Sequence, residues 1–298
     1  MKILIIGSKG FIGSHCVKYL SKRHEVWECD VILDYNAPRY ISIDAVDAQF
    51  YEIFQQQKFD VCINCSGAAN VSFSLQKPYN DFSLNTLNVF KMLEAIRLYN
   101  KECRFITMSS AAVYGNPESL PIRENMGCAP VSPYGYHKMM MERVCEEYTR
   151  FWGIKTCCLR IFSAYGPGLK KQLLWDLYNK LQHDVTPTLW GTGEESRDFV
   201  HVDDIVRIIE LSIDNSTFEA QCVNAANGRQ VFIREIVKLY TENVSSNKEI
   251  TFNQEKRSGD PINWEADIST VKEWGYVQKV PLEQGVKEYI AWAERELR

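Results

Sequence analysis

Tyr134 and Lys138 stand four residues apart in Ser132-Pro133-Tyr134-Gly135-Tyr136-His137-Lys138. In a helix that spacing places both side chains on one face, one turn apart. A free tyrosine titrates at about 10 and is a poor base at neutral pH. A neighbouring ammonium favours the phenolate. Bringing the phenol to about 7 takes roughly 4 kcal/mol of differential stabilisation, of which Lys138 can supply part and a further cation the rest. Such a pair is suited to taking a proton from a hydroxyl while hydride leaves the adjacent carbon. The same residues also suit an amphipathic helix with a core tyrosine and a solvated lysine, so the decision falls to the rest of the chain.

A second stretch carries its own chemistry. Gly7-Ser8-Lys9-Gly10-Phe11-Ile12-Gly13 follows the apolar run Lys2 to Ile6 and precedes a helical pattern from Ser14 to Leu20. Glycines at this spacing let the backbone turn sharply and approach a pyrophosphate, at which the following helix aims its N-terminus. The next strand, Glu25 to Cys29, ends at Asp30. An acid there accepts hydrogen bonds from both adenosine ribose hydroxyls and repels a 2'-phosphate. No arginine follows immediately, so the pattern favours NAD over NADP. Arg197 and Arg257 are permanent cations with forked donors suited to phosphate; either alone also reads as a solvated surface arginine.

The elements that must position these groups alternate. Strands are expected at Tyr40 to Ile43 (with Asp44 at its end), Val61 to Cys65, Arg104 to Met108 and Lys155 to Arg160. Helices are expected at Phe50 to Gln57, Asp81 to Tyr99 and Tyr134 to Trp152. Strand and helix in alternation predict a parallel doubly wound sheet, with ligands outside the carboxyl ends of the strands. Gly7, Asp30, Ser66, Ser110 and Ser163 all fall at such ends. Small residues in Ser66-Gly67-Ala68-Ala69 would let the backbone lie against a cofactor. After Tyr165-Gly166-Pro167-Gly168 the alternation breaks. Helices follow near Lys171 to Gln182, Ile205 to Ile213, Ile233 to Glu242 and from Leu282, with strands at Thr188 to Trp190 and Ala220 to Ala225.

Composition sets the bounds. The chain has 298 residues, 45% apolar and 24% charged, which are globular averages. A net charge of -4 without a basic run argues against nucleic acid as a partner. No apolar stretch is long enough to span a bilayer, and the run at Ile3 to Ile6 lacks a cleavage-site pattern, so neither a membrane anchor nor a signal peptide is expected. Ten cysteines are scattered. Cys62 and Cys65 form a lone Cys-x-x-Cys in strand context, short of a zinc site, so the thiols are read as structural, no metal is expected, and a reducing cytoplasmic location is.

Together these stretches resemble the extended short-chain dehydrogenase/reductases, specifically the nucleotide-sugar epimerase/dehydratase family with UDP-glucose 4-epimerase-like members. The resemblance covers essentially the whole length. It implies a Rossmann-type α/β fold with a smaller C-terminal α/β substrate domain: residues 1–167, with 199–227 returning, hold NAD, and 168–198 with 228–298 hold the nucleotide sugar. It implies Ser110, Tyr134 and Lys138 as the catalytic set. It assigns cofactor contacts to Gly7, Lys9, Gly10, Phe11, Ile12, Gly13, Asp30, Asp44, Ala45, Cys65, Ser66, Gly67, Asn85, Tyr134, Lys138 and Ile161. It assigns substrate contacts to Ser72, Ser110, Tyr134, Ser163, Arg197, Arg257 and Asp260.

Three departures from the family pattern stand out. Ser163 replaces the usual asparagine. Asn85-Thr86-Leu87-Asn88-Val89 lacks the glycine and threonine of its pattern. Ala111 and Ala112 follow Ser110 where 4,6-dehydratases carry Asp-Glu to move protons at C5 and C6, which counts against a dehydratase. The resemblance therefore implies NAD-dependent epimerisation of a nucleotide-diphosphate sugar through a 4-keto intermediate. An NAD(P)H-dependent 4-ketosugar reductase and a non-catalytic NAD-binding relative are the alternatives. A homodimer is also expected, because the helix from Asp81 is apolar nearly all round. The Tyr134 helix carries a second stripe at Tyr136, Met140, Val144, Tyr148 and Phe151.

Overall fold

A computed structural model of the chain describes residues 1–45, 47–244, 248–255, 259 and 261–296. Seven parallel strands form its central sheet: β1 (Lys2–Ile6), β2 (Glu25–Asp30), β3 (Tyr40–Ser42), β4 (Val61–Asn64), β5 (Arg104–Ser110), β6 (Thr156–Ile161) and β11 (Glu219–Ala225). Their spatial order is β11-β6-β5-β4-β1-β2-β3. The chain winds outward from β1 to β3, returns to β4, and winds the other way. The order reverses between β1 and β4, which opens a crevice at their carboxyl ends.

Burial on both faces explains the near-continuous apolar strands. Ile3 and Ile5 point to one side and Leu4 and Ile6 to the other, all fully buried. Each contributes about 1.5–3 kcal/mol relative to an exposed position. On one face lie α1 (Phe11–Leu20) and α8 (Val202–Asn215); on the other lie α2 (Tyr51–Gln56), α5 (Asn88–Tyr99) and α6 (Pro133–Trp152). Trp264, Ala266, Ile268, Tyr276 and, on the short α10 (Ser269–Glu273), Val271 also pack into the core on the α1 side. That return was not expected from residues so late in the chain.

The expected helix from Asp81 to Tyr99 is not continuous. After α3 (Val71–Gln76), α4 covers Pro78–Phe82, a π turn covers Ser83–Leu87, and only then does α5 begin. The Asn88 N–H bonds five residues back to the Ser83 carbonyl. A π turn adds one residue per turn and leaves no mark on a 3.6-residue pattern. The second stripe expected on α6 also divides. Tyr136, Met140 and Phe151 are exposed, but Tyr148 is buried, packed on Phe90 and Trp152 with its hydroxyl on Glu94.

A smaller lobe holds α7 (Gln172–His183), α9 (Ile233–Thr241) and α11 (Leu282–Glu296) around Leu177, Tyr178, Ile236, Tyr240, Val286 and Tyr289. Three short two-stranded ladders lie apart from the central sheet. β7 (Ser163–Tyr165) pairs with β10 (Phe199–His201), β9 (Ser196–Arg197) with β12 (Val231–Phe232), and β8 (Thr188–Leu189) with β13 (Thr251–Phe252).

A buried ion pair fixes α6 on the sheet. Arg160 on β6 donates through Nε (2.9 Å) and Nη2 (2.8 Å) to the two oxygens of Glu142 on α6. Removing one partner leaves an uncompensated buried charge. Glu142→Gln is expected to lower the unfolding free energy by about 3–5 kcal/mol, read from urea denaturation. A loss under about 1 kcal/mol would show that the pair is dispensable.

Candidate active site

The cleft between the sheet and the smaller lobe has a volume of about 970 Å³, within the range of sites that enclose a small molecule. Its lining includes Gly10, Phe11, Ile12, Cys65, Ser66, Gly67, Ser72, Ser110, Tyr134, Lys138, Ile161, Ser163 and Arg197. Residues from four strand ends and both lobes therefore meet in one space.

Helix α6 begins as its sequence requires. Ser132 caps it, its hydroxyl oxygen accepting the Gly135 N–H at 3.2 Å, and Pro133 occupies the first turn. Gly135 is needed for contact, since a Cβ there would lie 2.6 Å from the Ala112 carbonyl. The start of α6 thus rests on the short turn Ala111–Val113 after β5, beside Ser110. Lys138 is buried and donates from Nζ to the Met108 carbonyl at 2.7 Å. Burial pushes the Tyr134 phenol up to about 12, while the hydroxyl of Ser110 acts in the other direction. Burial pushes the Lys138 ammonium down to about 8, against the pull of Asp81, Cys158 and Glu142. The polypeptide alone therefore leaves Tyr134 protonated at neutral pH. A further positive charge beside it is what would make it a base.

At the other end of the cleft, Gly7 adopts φ +79°, and a Cβ there would sit 2.6 Å from the Ser66 nitrogen. A Cβ on Gly13 would come within 2.0 Å of the Gly7 carbonyl. The loops after β1 and β4 are in backbone contact, and only glycine permits it. Gly10 precedes α1 without a side-chain cap, so the first N–H groups of that helix face the crevice. Asp30, nearly buried, accepts N–H groups from Lys9 (2.8 Å), Val31 (2.8 Å) and Ile32 (3.2 Å). Lys9 pairs with Glu28 (2.9 Å) and Asp34 (2.7 Å), adding acid around Asp30. Asn85 is buried in the π turn, and neither its Oδ1 nor its Nδ2 has a hydrogen-bond partner among the described residues. Buried amides rarely stay unpaired. A ligand amide or hydroxyl at this depth would pair them.

Asp44 and Ala45 are on the exposed loop beyond β3, outside the cleft lining, where Asp44 accepts the Asp47 N–H at 2.8 Å. Of the other expected cofactor residues, Gly7, Lys9, Gly13, Asp30 and Asn85 also lie beyond the residues that line the cleft. Strand β3 stops at Ser42, one residue short of its expected end, although the Ile43 N–H still donates to the Asp30 carbonyl at 3.1 Å. Arg257 and Asp260 lie outside the described residues, but Gly259 and Pro261 beside them line the cleft.

On the opposite wall, the Arg197 guanidinium lies over Trp264 at 5.5 Å and donates to the Ser196 (2.8 Å) and Ile262 (3.1 Å) carbonyls. Its neighbour Asp198 was not anticipated. That buried carboxylate accepts N–H groups from Asn227 (2.9 Å), Gly228 (2.9 Å), Arg229 (3.2 Å) and Ala266 (3.1 Å), and the Ser163 N–H donates to its backbone carbonyl at 2.9 Å. Burial pushes Asp198 up to about 6. Asp198 therefore joins Ser163, Arg197 and the late segment at Ala266. An acid between an arginine and an aromatic gives no sequence sign of this. Among the described residues no cluster of three or more His, Cys, Asp or Glu is placed to hold a metal ion, and no helix is long and apolar enough to cross a membrane.

A family model described as the NAD dependent epimerase/dehydratase family matches residues 3–226, and the chain belongs to that family. Its fold is the Rossmann-type α/β fold of those enzymes, and NAD is its cofactor. The chain is 26% identical over 307 residues to a putative UDP-glucose 4-epimerase of Methanocaldococcus jannaschii, covering 99% of each. It is similar to the structure of a UDP-glucose 4-epimerase from Thermotoga maritima with UDP-glucose, at 27% identity and TM-score 0.88, covering 100% of each chain. It shares its fold with a UDP-glucuronic acid 4-epimerase from Bacillus cereus in complex with UDP-glucuronic acid and NAD, at TM-score 0.90 and 24% identity, covering 99% of this chain and 100% of that one.

Gly13 packs on the Gly7 carbonyl with no room for a side chain. Gly13→Ala forces its methyl into the Gly7 carbonyl. The variant is expected to lose at least about tenfold in NAD affinity, which is about 1.4 kcal/mol, in a titration followed by intrinsic fluorescence. Unchanged affinity would show that this turn does not form the binding surface.

Proposed function

We propose that the chain interconverts the C4 epimers of a UDP-sugar through a 4-keto intermediate. The observation that carries this reading is the meeting of Ser110, Tyr134 and buried Lys138 at the end of β5, in one cleft with Arg197. NAD, when bound, supplies the hydride acceptor and donor. Ser110 orients the 4-hydroxyl toward Tyr134. Tyr134 takes the hydroxyl proton and later returns it. Lys138 stabilises the phenolate and reaches the nicotinamide ribose. Gly7 to Gly13 and the start of α1 receive the pyrophosphate, Asp30 the adenosine ribose, and Asn85 a polar group of the cofactor at its own depth. Arg197 binds the substrate diphosphate, with Ser72 and Ser163 on the sugar side, and Arg257 and Asp260 closing over the nucleotide as the resemblance implies.

Ala111 and Ala112 argue against a dehydratase, since neither side chain can move a proton at C5 or C6. The commitment to UDP comes from the relatives, whose described substrates are UDP-sugars. The proposed division is an NAD-binding part, residues 1–167 with 199–227, and a nucleotide-sugar part, residues 168–198 with 228–298.

The test uses UDP-glucose, UDP-N-acetylglucosamine and UDP-glucuronic acid deuterated at C4. Product is expected to keep its deuterium, with no net change in reduced-nicotinamide absorbance. Tyr134→Phe is expected to reduce turnover by at least about 10²-fold, the low end for losing a general base, while retaining NAD binding. Stoichiometric consumption of reduced cofactor on 4-keto sugars, with no 4-hydroxy sugar interconverted, would overturn the epimerase in favour of a reductase.

A homodimer is proposed on separate grounds. Leu87, Phe90, Tyr136, Met140 and Phe151 are exposed on the π turn, α5 and α6, which pack side by side. Apolar groups on adjacent helices need cover. Light scattering at micromolar concentration is expected to give about twice the chain mass of 34.5 kDa; a monomeric mass would refute it.

A further inference from the structure

Lys9 stands in the glycine loop between β1 and α1, and it faces two ways. Its backbone N–H donates to Oδ2 of Asp30 at 2.8 Å. Its ammonium lies between the carboxylates of Glu28 (2.9 Å) and Asp34 (2.7 Å), over the Tyr40 ring at 4.9 Å. One lysine therefore touches the Asp30 carboxylate with its main chain and two further acids with its side chain.

Each partner is held by its own element. Glu28 precedes Asp30 by two residues on β2, so both side chains leave the same face of the sheet. Tyr40 is the β3 residue paired with Glu28, and its hydroxyl donates to the Ile32 carbonyl. Asp34 accepts the N–H groups of Asn36 (3.0 Å) and Ala37 (3.3 Å) through Oδ1, which leaves Oδ2 for the lysine. Lys9, Glu28, Asp34 and Tyr40 are all half-buried. Ion pairs near the surface add little to stability, so folding alone gives little reason for two acids on one ammonium.

A lysine beside a ribose acid has a second use. Its ammonium is a compact point charge suited to phosphate. NADP differs from NAD by a phosphate on the adenosine 2'-hydroxyl, a group that Asp30 would receive. Asp30 repels that phosphate, whereas an unoccupied ammonium on Lys9, whose own N–H touches Asp30, would attract it. Burial opposes the charge on Lys9, but the bonds to Asp34 and Glu28 hold it well above the ordinary lysine range. Lys9 in turn holds Asp34 below the ordinary carboxylate range. The ammonium is thus present and already matched by acids of the chain itself.

We propose that Glu28 and Asp34 are specificity residues for the cofactor: by occupying the Lys9 ammonium they keep it from receiving a 2'-phosphate, and so hold the chain to NAD. This rests on the reading of Asp30 as the acid that receives the adenosine ribose. Glu28 and Asp34 act through Lys9 and are positioning residues. NAD carries no charge on its 2'-hydroxyl, so removing the two acids leaves its binding nearly unchanged.

The experiment titrates NAD and NADP onto the dinucleotide-free chain, with affinity read by calorimetry. Asp34→Asn and Glu28→Gln keep the shape of each side chain and remove its charge. The double variant is expected to bind NADP at least about tenfold more tightly than the unaltered chain, as one new charged hydrogen bond allows, with NAD affinity changed less than about threefold. Each single variant is expected to give part of that gain, and decides the matter where the double variant does not fold. Adding Lys9→Met is expected to remove most of the gain. An NADP affinity unmoved in every variant that folds overturns the proposal. A gain that survives Lys9→Met in full also overturns it, since the acids would then act by repulsion alone. Asp30→Asn tests the reading beneath the proposal, and NAD affinity is expected to fall at least about tenfold. An unchanged NAD affinity there removes Asp30 from the ribose, while the NADP comparison still decides the role of Lys9.

Discussion

The bidentate pair between Arg160 and Glu142 holds α6, with Tyr134 and Lys138, in register on the sheet. Both groups are buried, so their attraction must offset a desolvation cost of several kcal/mol per ion, and it does so only with good geometry and further hydrogen bonds. Those bonds are present. Glu142 also accepts from Ser109, and Arg160 also donates to the Tyr114 hydroxyl and the Glu124 carbonyl, while Tyr114 donates to Asn224. One network therefore joins β5, the turn after it, α6, β6 and β11. Ser109 is next to Ser110, and Glu142 is one turn beyond Lys138. Movement of α6 relative to β5 would break charged hydrogen bonds in a dry interior, and the distance between Ser110 and Tyr134 is fixed as a consequence.

The two lobes are tied by carboxylates that accept backbone N–H groups. Asp198 gathers four such donors from residues far along the chain, and Asp204 accepts from Lys279 (3.0 Å) and Val280 (3.1 Å) ahead of α11. The bonds of Asp198 lie behind Arg197 and Ser163, which line the cleft. One wall of the cleft is thus set by polar anchors and short two-stranded ladders, whereas the other is set by a continuous sheet.

The electrostatics of the site are those of an enzyme idle until loaded. Burial raises Tyr134, which stays a neutral phenol in the bare polypeptide, and lowers Lys138 to about 8, which leaves its ammonium predominant at neutral pH. A dry site also magnifies the effect of any charge that enters. The polypeptide supplies position and a low-dielectric enclosure, and the remaining positive charge comes with the ligand.

Chemistry that depends on neighbours along the chain is legible in the amino-acid sequence by itself. The strand, glycine loop and helix from Lys2 to Leu20, the acid at the end of β2, and the four-residue spacing of Tyr134 and Lys138 are all local, and backbone geometry turns such spacing directly into direction. Alternating strands and helices likewise imply a parallel sheet, because parallel neighbours require crossovers. What only the tertiary structure decided is made of contacts between distant residues. Glu142 with Arg160, Asp81 with His137, and Asp198 with residues 227–229 and 266 look like surface polar residues in the sequence, and nothing local distinguishes a paired buried charge from a solvated one. The π turn that brings Thr86 and Asn85 inward is a one-residue irregularity that hydrophobic periodicity averages away.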